Sequence, residues 1–309
     1  MAKVKLGLAA AALLACTAAT VPPPARDLPA NALVIATTGQ LAPVLRKVAA
    51  DLEHRRPGVR VLVEPVGSDV AMSDLFTHRA DLAIIGRAAF DPELKAFQWI
   101  FQHPAAAWPV LEGSSSAAGH SAAVRVLVNA ANPIREISVR QLDLIFRGGK
   151  PIYWRDLGVA GVLGERSIHP IMPDTEQGSG RFIRQALFGD ATLFAWSRVK
   201  EIAEPIHRDG SDDRLNKRLA AAVARDPQAI ALASGAAAGT RTVRLECPVC
   251  DPSGAIQRTV YAYSDPALRP DANAFLRLLV TQTEDGLIDP APYRQLPPEA
   301  AAELLKKLR

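Results

Sequence analysis

Three short segments set glycine beside a hydroxyl-bearing side chain just ahead of an amphipathic stretch: Thr37-Thr38-Gly39-Gln40, Gly67-Ser68-Asp69 and Gly178-Ser179-Gly180-Arg181. The N–H groups in the first turn of a helix have no internal partners, and they carry the positive end of the helix dipole. Such a start can therefore hold an anion without a counter-charge. Glycine lets the backbone approach closely, and a hydroxyl can donate to an oxygen. Thr38, Gln40, Ser68, Ser179 and Gly180 are the candidate ligands, with the Gly178-Ser179-Gly180 turn ranked first, then Thr38, then Ser68. Each turn taken alone fits an ordinary N-cap equally well, so only convergence on one cleft would make them a binding site.

Other chemistry finds less support. Ser179 is not in a Gly-x-Ser-x-Gly elbow, because Gln177 stands at the first glycine position. His54, His78, His103, His120, His169 and His207 are scattered without metal-ligand spacing, so no metal or other cofactor is expected. Trp99, Trp108, Trp154 and Trp196 are expected to pack helices rather than stack on a ligand. Net charge is +4 with a pI near 9.1, which favours anions. No Lys/Arg block interleaved with aromatics appears, so nucleic acid is not an expected partner. Cys247 and Cys250 lie in Glu-Cys-Pro-Val-Cys-Asp followed by Pro252, Ser253 and Gly254. A redox pair would sit at a helix start, and a zinc site would need two further ligands; a local disulfide pinning a hairpin loop is the expected arrangement.

These turns need elements to position them. The chain opens with Lys3 and Lys5, then the apolar run Leu6 to Ala15, which reads as a secretory signal. That run is too short to span a bilayer. It ends in Leu13-Leu14-Ala15-Cys16, similar to the lipobox in which a bacterial lipoprotein is lipidated; an ordinary cleavable signal is the alternative. Residues 17–30, rich in proline and alanine, form a tether, and folding starts near Asn31. About 280 residues remain, the size of two lobes. From Ala32, buried strands near 33–36, 59–66 and 80–85 alternate with helices near 41–54 and 68–76, an α/β opening that places ligand sites at the C-terminal ends of parallel strands. Residues 112–119 are small and polar and are expected to form a mobile loop near a domain crossing. Further strands are expected at 122–128, 168–172 and 229–233, helices at 138–146, 179–188, 214–224, 271–283 and 299–308, and a hairpin at 242–262.

Three segments in order resemble the phosphate-binding proteins of ABC importers, a branch of the type II periplasmic binding protein superfamily. The first holds Asn132-Pro133-Ile134, Ser138, Gln141-Leu142, Ile145-Phe146, Gly148 and Trp154-Arg155-Asp156-Leu157-Gly158. The second is Gln177-Gly178-Ser179-Gly180-Arg181-Phe182. The third runs through Val260-Tyr261-Ala262-Tyr263 and Ala274-Phe275-Leu276 to Tyr293-Arg294-Gln295-Leu296-Pro297. The resemblance implies two α/β lobes joined by two crossing strands, lobe 1 being 31–118 plus 242–309 and lobe 2 being 119–241, with an anion held between them and hinge closure over it.

It also exposes departures. Where phosphate-specific members place an aspartate after the third strand, this chain has Ile85-Gly86-Arg87. Thr175 stands where an arginine is expected, and Arg181 replaces a threonine. Without the acidic acceptor, the physical basis for preferring a protonated anion over sulfate is gone. Arg87 and Arg181 would either fork an oxyanion or serve as structural residues. The expected function is a monomeric, exported solute-binding protein that captures phosphate or a related oxyanion for an ABC permease. A binding-fold protein serving as an envelope sensor or interaction module is the alternative, and an enzyme is not expected, for want of an acid, base and nucleophile constellation.

Overall fold

The structure, a computed structural model, describes residues 31–113, 123–189, 193–203, 213–248, 250–281 and 293–308. The expected signal segment with Cys16, the tether at 17–30 and most of the expected loop at 112–119 lie outside the described residues.

The chain first lays down β1 (Ala32–Thr37), α1 (Ala42–Arg55), β2 (Arg60–Pro65), α2 (Ser68–Phe76), β3 (Leu82–Ile85), α3 (Asp91–Phe101) and β4 (Ala106–Gly113). It continues with β5 (Arg125–Asn129), β6 (Glu136–Ser138), α4 (Val139–Arg147), α5 (Gly161–Gly164), β7 (His169–Pro173), α6 (Gly178–Phe188), β8 (Lys200–Ile202), α7 (Asp213–Arg225), β9 (Ala229–Ala233) and β10 (Thr240–Glu246). It ends with β11 (Thr259–Ser264), α8 (Pro270–Thr281), β12 (Tyr293–Arg294) and α9 (Pro298–Lys307).

Among the described residues these strands form two six-stranded sheets, in the orders β12-β4-β11-β3-β1-β2 and β6-β10-β5-β9-β7-β8. In the first, β1 pairs in parallel with β2 and β3, while β11 runs antiparallel to β3 and β4. The second sheet does the same with β7 against β8 and β9, and β5 against β9 and β10. β3 and β9, in the middle of the two sheets, are apolar and buried throughout, as strands covered on both faces must be. Alternation along β1 sends Leu33 and Ile35 into a cluster with Leu45 of α1 and Phe275 of α8; Ala32, Val34 and Ala36 face Met72 of α2 and Phe97 of α3. In lobe 2, Phe146 of α4 and Ile183 of α6 cover one face of the sheet, Leu219 and Val223 of α7 the other. Each lobe thus has its own core, with helices on both faces of its sheet. The helix starts are locally encoded too: at α4 the Gln141 N–H donates to Ser138 Oγ, and the Ser138 N–H donates back to Gln141 Oε1 at 2.8 Å, a capping box.

Two expectations change here. Residues 242–262 do not make a hairpin, because β10 lies in the second sheet and β11 in the first. A tight turn does form, with Gly254 N–H donating to Asp251 O, and Cys247 and Cys250 are disulfide-bonded beside it. The arms leaving that turn diverge into separate lobes. The return to lobe 1 therefore comes after β10 rather than at 242. Lobe 2 keeps 240–246 because Thr240 to Val243 pair with Val126 to Asn129. The two crossing segments run side by side, Gly113 N–H donating to Arg258 O and Val124 bridging Ile256.

Candidate anion-binding cleft

Each of the three glycine-containing turns follows the C-terminal end of a parallel strand. Thr37 O, at the end of β1, accepts from Val66 N–H and Gly67 N–H at 3.0 Å each. The Thr38 turn and the Gly67-Ser68 turn are thereby bound together. Ser68, the first residue of α2, is buried and meets α6 of the opposite lobe: a Cβ placed on Gly178 would lie 1.9 Å from Ser68 Oγ. Only a glycine at 178 permits that approach. Gly180 is held to its type by its own turn, since a Cβ there would lie 2.1 Å from Asp174 O. At α6 the first intrahelical bond runs from Arg181 N–H to Gln177 O, so the amides of Gly178, Ser179 and Gly180 lie ahead of the ladder. At α2 it runs from Ala71 N–H to Gly67 O, leaving Ser68, Asp69 and Val70 ahead of it. Two helix N-termini from different lobes therefore face one another, a geometry that suits an anion.

The arginines are arranged otherwise than the sequence suggested. Arg87 is expected to reach an anion, yet its side chain is 1% exposed and its terminal nitrogens donate to Glu93 at 2.6 and 2.8 Å, to Asp69 at 2.8 Å and to Ala88 O. Of the two roles open to Arg87, that bidentate pairing fits the structural one. Burial alone would push its pKa down, but the Glu93 and Asp69 carboxylates outweigh this and hold it above its usual value. Burial raises the pKa of Asp69 in spite of Arg87 and Arg181 nearby. From lobe 2, Arg181 approaches Asp69 and Glu93 at 3.7 Å and donates to Glu176 at 3.1 Å. Arg184 also pairs with Glu176, at 3.0 Å. All three guanidiniums lie over the Phe90 ring, 4.6 to 5.4 Å from its centroid. Three arginines thus meet three carboxylates around one ring, and the cluster crosses from lobe to lobe. Arg181 belongs first to this contact.

Two other predicted residues turn toward protein partners. Gln40 Oε1 accepts from Tyr293 O–H at 3.4 Å. Thr175, at the position where the resemblance calls for an arginine, donates through both N–H and Oγ1 to Glu201. Of the tryptophans, Trp154 is buried in the lobe 2 core and Trp108 donates to Ser264 Oγ, but Trp99 is 74% and Trp196 46% exposed, so these two do not pack helices as expected.

Arg258 is not among the residues expected at the site. It lies just ahead of β11 on the second crossing segment, is 8% exposed, and donates to Ser179 Oγ at 3.2 Å and toward Ser234 Oγ at 3.5 Å. Its guanidinium lies 4.4 Å over the Phe182 ring, and its side chain would touch a Cβ on Gly86 at 3.9 Å. No local motif marks it; its position follows from where the chain crosses between lobes. Among the described residues no group of three His, Cys, Asp or Glu is placed to hold a metal ion.

Comparison with known proteins follows the same lines. The phosphate-binding protein PstS of Pseudomonas aeruginosa is 25% identical over 287 residues, covering 87% of this chain and 84% of its own. An ABC-type phosphate transport receptor from Vibrio cholerae matches 86% of this chain and 100% of its own at 15% identity and a TM-score of 0.63. A putative phosphate ABC transporter substrate-binding protein with bound phosphate, from Clostridium perfringens, matches the same shares at 13% identity and a TM-score of 0.58. At those identities the two structures speak for the fold. The profile described as the PBP superfamily domain matches residues 18–280; the chain belongs to that superfamily, and its two lobes are the type II periplasmic binding protein fold.

Proposed function

We propose that this protein captures inorganic phosphate or a related oxyanion between its lobes and delivers it to an ABC permease. The observation that carries this is the meeting of Ser68, at the head of α2, with Gly178, at the head of α6. Serine hydroxyls and amides from both lobes then border one crevice, and an anion there would bind both lobes at once. The relative from Pseudomonas aeruginosa is named a phosphate-binding protein. The basic net charge favours the same ligand class. Because Gly86-Arg87-Ala88-Ala89 follows β3 in place of an acidic residue, the ligand class is oxyanions, phosphate being the first candidate within it.

The amino-terminal Lys3, Lys5 and the apolar run to Ala15 support export. Cys16 would tether the protein by a lipid to the membrane, leaving it extracytoplasmic and monomeric. Solute binding rather than catalysis fits the superfamily.

A second reading, an envelope sensor or interaction module that no longer serves transport, draws on one feature. The carboxylates of Asp69, Glu93 and Glu176 occupy Arg87, Arg181 and Arg184, so the protein's own charges join the lobes. A thermal-shift panel of phosphate, sulfate, phosphonates and carboxylates separates the two. A ligand that binds only the folded state raises the melting temperature, and binding at a hundred times its Kd would stabilise by about 2.7 kcal/mol. A shift with an oxyanion supports the first reading; no shift with any anion supports the second.

A further inference from the structure

Independently of the anion cleft, we propose that a cavity at the base of lobe 1 is a docking site for the chain's own proline-rich segment, residues 21–30, with Leu28 and Pro29 seated in it. The cavity encloses about 250 Å³ between the end of α2, α3 and the segment leading from β11 into α8. Leu75, Ala80, Phe97 and Ala272 form its floor, each at most 6% exposed. One wall is aromatic: Phe101 stacks on Phe97 at 4.2 Å, and the His78 ring lies 4.6 Å from Phe101. His78 has a left-handed backbone, with φ at 59°, a conformation uncommon outside glycine.

The chain enters the described fold at the rim of this cavity. Arg269, which lines it, donates to Ala32 O at 3.2 Å, and Val34 N–H donates at 2.8 Å to Asp81 Oδ2, on another lining residue. Ala32 itself packs with Leu75, Ala80 and Phe97. Leu28 stands four residues earlier, so its Cα lies within about 14 Å of that of Ala32 whatever path the chain takes.

The segment suits the site. It reads Val21-Pro22-Pro23-Pro24 and then Leu28-Pro29. Proline fixes φ near the polyproline value, and aromatic-lined grooves recognise that extended form at low entropic cost. A cavity of roughly 150 Å³ takes a benzene ring, so one of about 250 Å³ accommodates a leucine side chain beside a proline ring. So short a connection also raises the local concentration to the order of mM. A contact too weak to join separate molecules is then occupied within one chain. β1 and β3 run in parallel from the cavity end of the sheet toward the cleft turns. Six residues of strand put about 20 Å between the two ends. Docking therefore holds the departing chain at the end of lobe 1 farthest from the anion cleft, which keeps the cleft turned away from whatever the amino terminus is attached to.

Limited proteolysis tests this, because Arg26 is the sole Lys or Arg between Lys5 and Arg46. Tryptic cutting after Arg26 is followed by mass spectrometry in the full chain, in Ala267→Trp, which plugs the cavity mouth from an exposed position, and in a Leu28→Ser, Pro29→Ser double variant. Each rate is divided by that of a synthetic peptide spanning the same residues 20–31, which removes any effect of sequence on the protease. Wild type should be cut roughly tenfold more slowly than its peptide, as expected for a local concentration about ten times the Kd. Both variants should be cut about as fast as theirs. If Ala267→Trp does not fold, the double variant decides. Wild type cut as fast as its peptide, or protection that persists in the variants, would overturn the proposal. Protection that grows with protein concentration would assign the cavity to the segment of a second copy and overturn it equally.

Discussion

The two lobes repeat one strand order, and the helices α1 and α6 occupy equivalent places, each leaving the strand next to the sheet edge, β1 or β7, for the edge strand that runs parallel to it. Their starts differ. In lobe 1, Thr38 O accepts from both Leu41 N–H and Ala42 N–H, and proline follows in the first turn, so the start of α1 closes on itself. In lobe 2, Gly178-Ser179-Gly180 leaves three amides ahead of the first helical bond. Lobe 1 makes up the difference with α2, whose Ser68 reaches across to Gly178. The same topology thus supplies anion-facing amides from the first helix in one lobe and the second helix in the other, and the sequence of the turn decides which.

The largest expected effect lies in the charges of lobe 1. Glu93→Gln strips a buried guanidinium of its bidentate partner, which should cost about 3–5 kcal/mol by chemical denaturation. A loss well under 1 kcal/mol would mean that Asp69 alone holds Arg87. Next, Gly178→Ala drives a methyl group into Ser68 Oγ and pushes the lobes apart. Overpacking of 1–3 kcal/mol corresponds to about 5- to 150-fold weaker anion binding, with a larger radius of gyration by X-ray scattering.

Tyr263→Phe leaves the Ala89 N–H, which donates to Tyr263 Oη at 2.8 Å, without its acceptor, and should cost about 1–3 kcal/mol. Burial pushes the Tyr263 pKa from 10.0 up to about 12. Folding then favours the protonated phenol, so its stabilisation is complete below pH 10 and declines as pH rises toward 12. The phenylalanine variant should lose that alkaline slope in a pH series of melting temperatures. Asp69 follows the same sign lower on the scale: its raised pKa means a contribution present below 3.8 and lost as pH climbs through the folded value. Asp69→Asn should therefore cost less than Glu93→Gln at neutral pH. The smallest effect is expected from Thr38→Ala, under threefold in affinity, because the α1 start is satisfied by backbone.

Much of this architecture is legible in the residues. α2 at Ser68–Phe76 and β9 at Ala229–Ala233 stand where hydrophobic pattern and capping residues place them, since both depend on local periodicity. β4 has no clean strand pattern in the sequence because Pro109 interrupts it. The register shift between Val260 and Tyr261 on the neighbouring strand accommodates it. α3 carries exposed Trp99 and Ile100, which blur its apolar stripe. The turn after Cys250 reads as a hairpin because it is a tight turn; that its arms enter different sheets is a tertiary fact with no local mark. The glycine turns were recognisable as helix starts, but the neutralisation of Arg87 depends on Asp69 and Glu93, 18 and 6 residues away in sequence. Arg258 reaches Ser179 across 79 residues.

The central claim is that helix amides and serine hydroxyls from both lobes hold one oxyanion between them. Calorimetric titration of phosphate and sulfate into wild type and a Ser68→Ala, Ser179→Ala double variant tests it most directly. The account predicts one anion per chain for wild type and binding at least tenfold weaker in the variant, at about 1.4 kcal/mol per factor of ten. Equal affinity in the two proteins would contradict it.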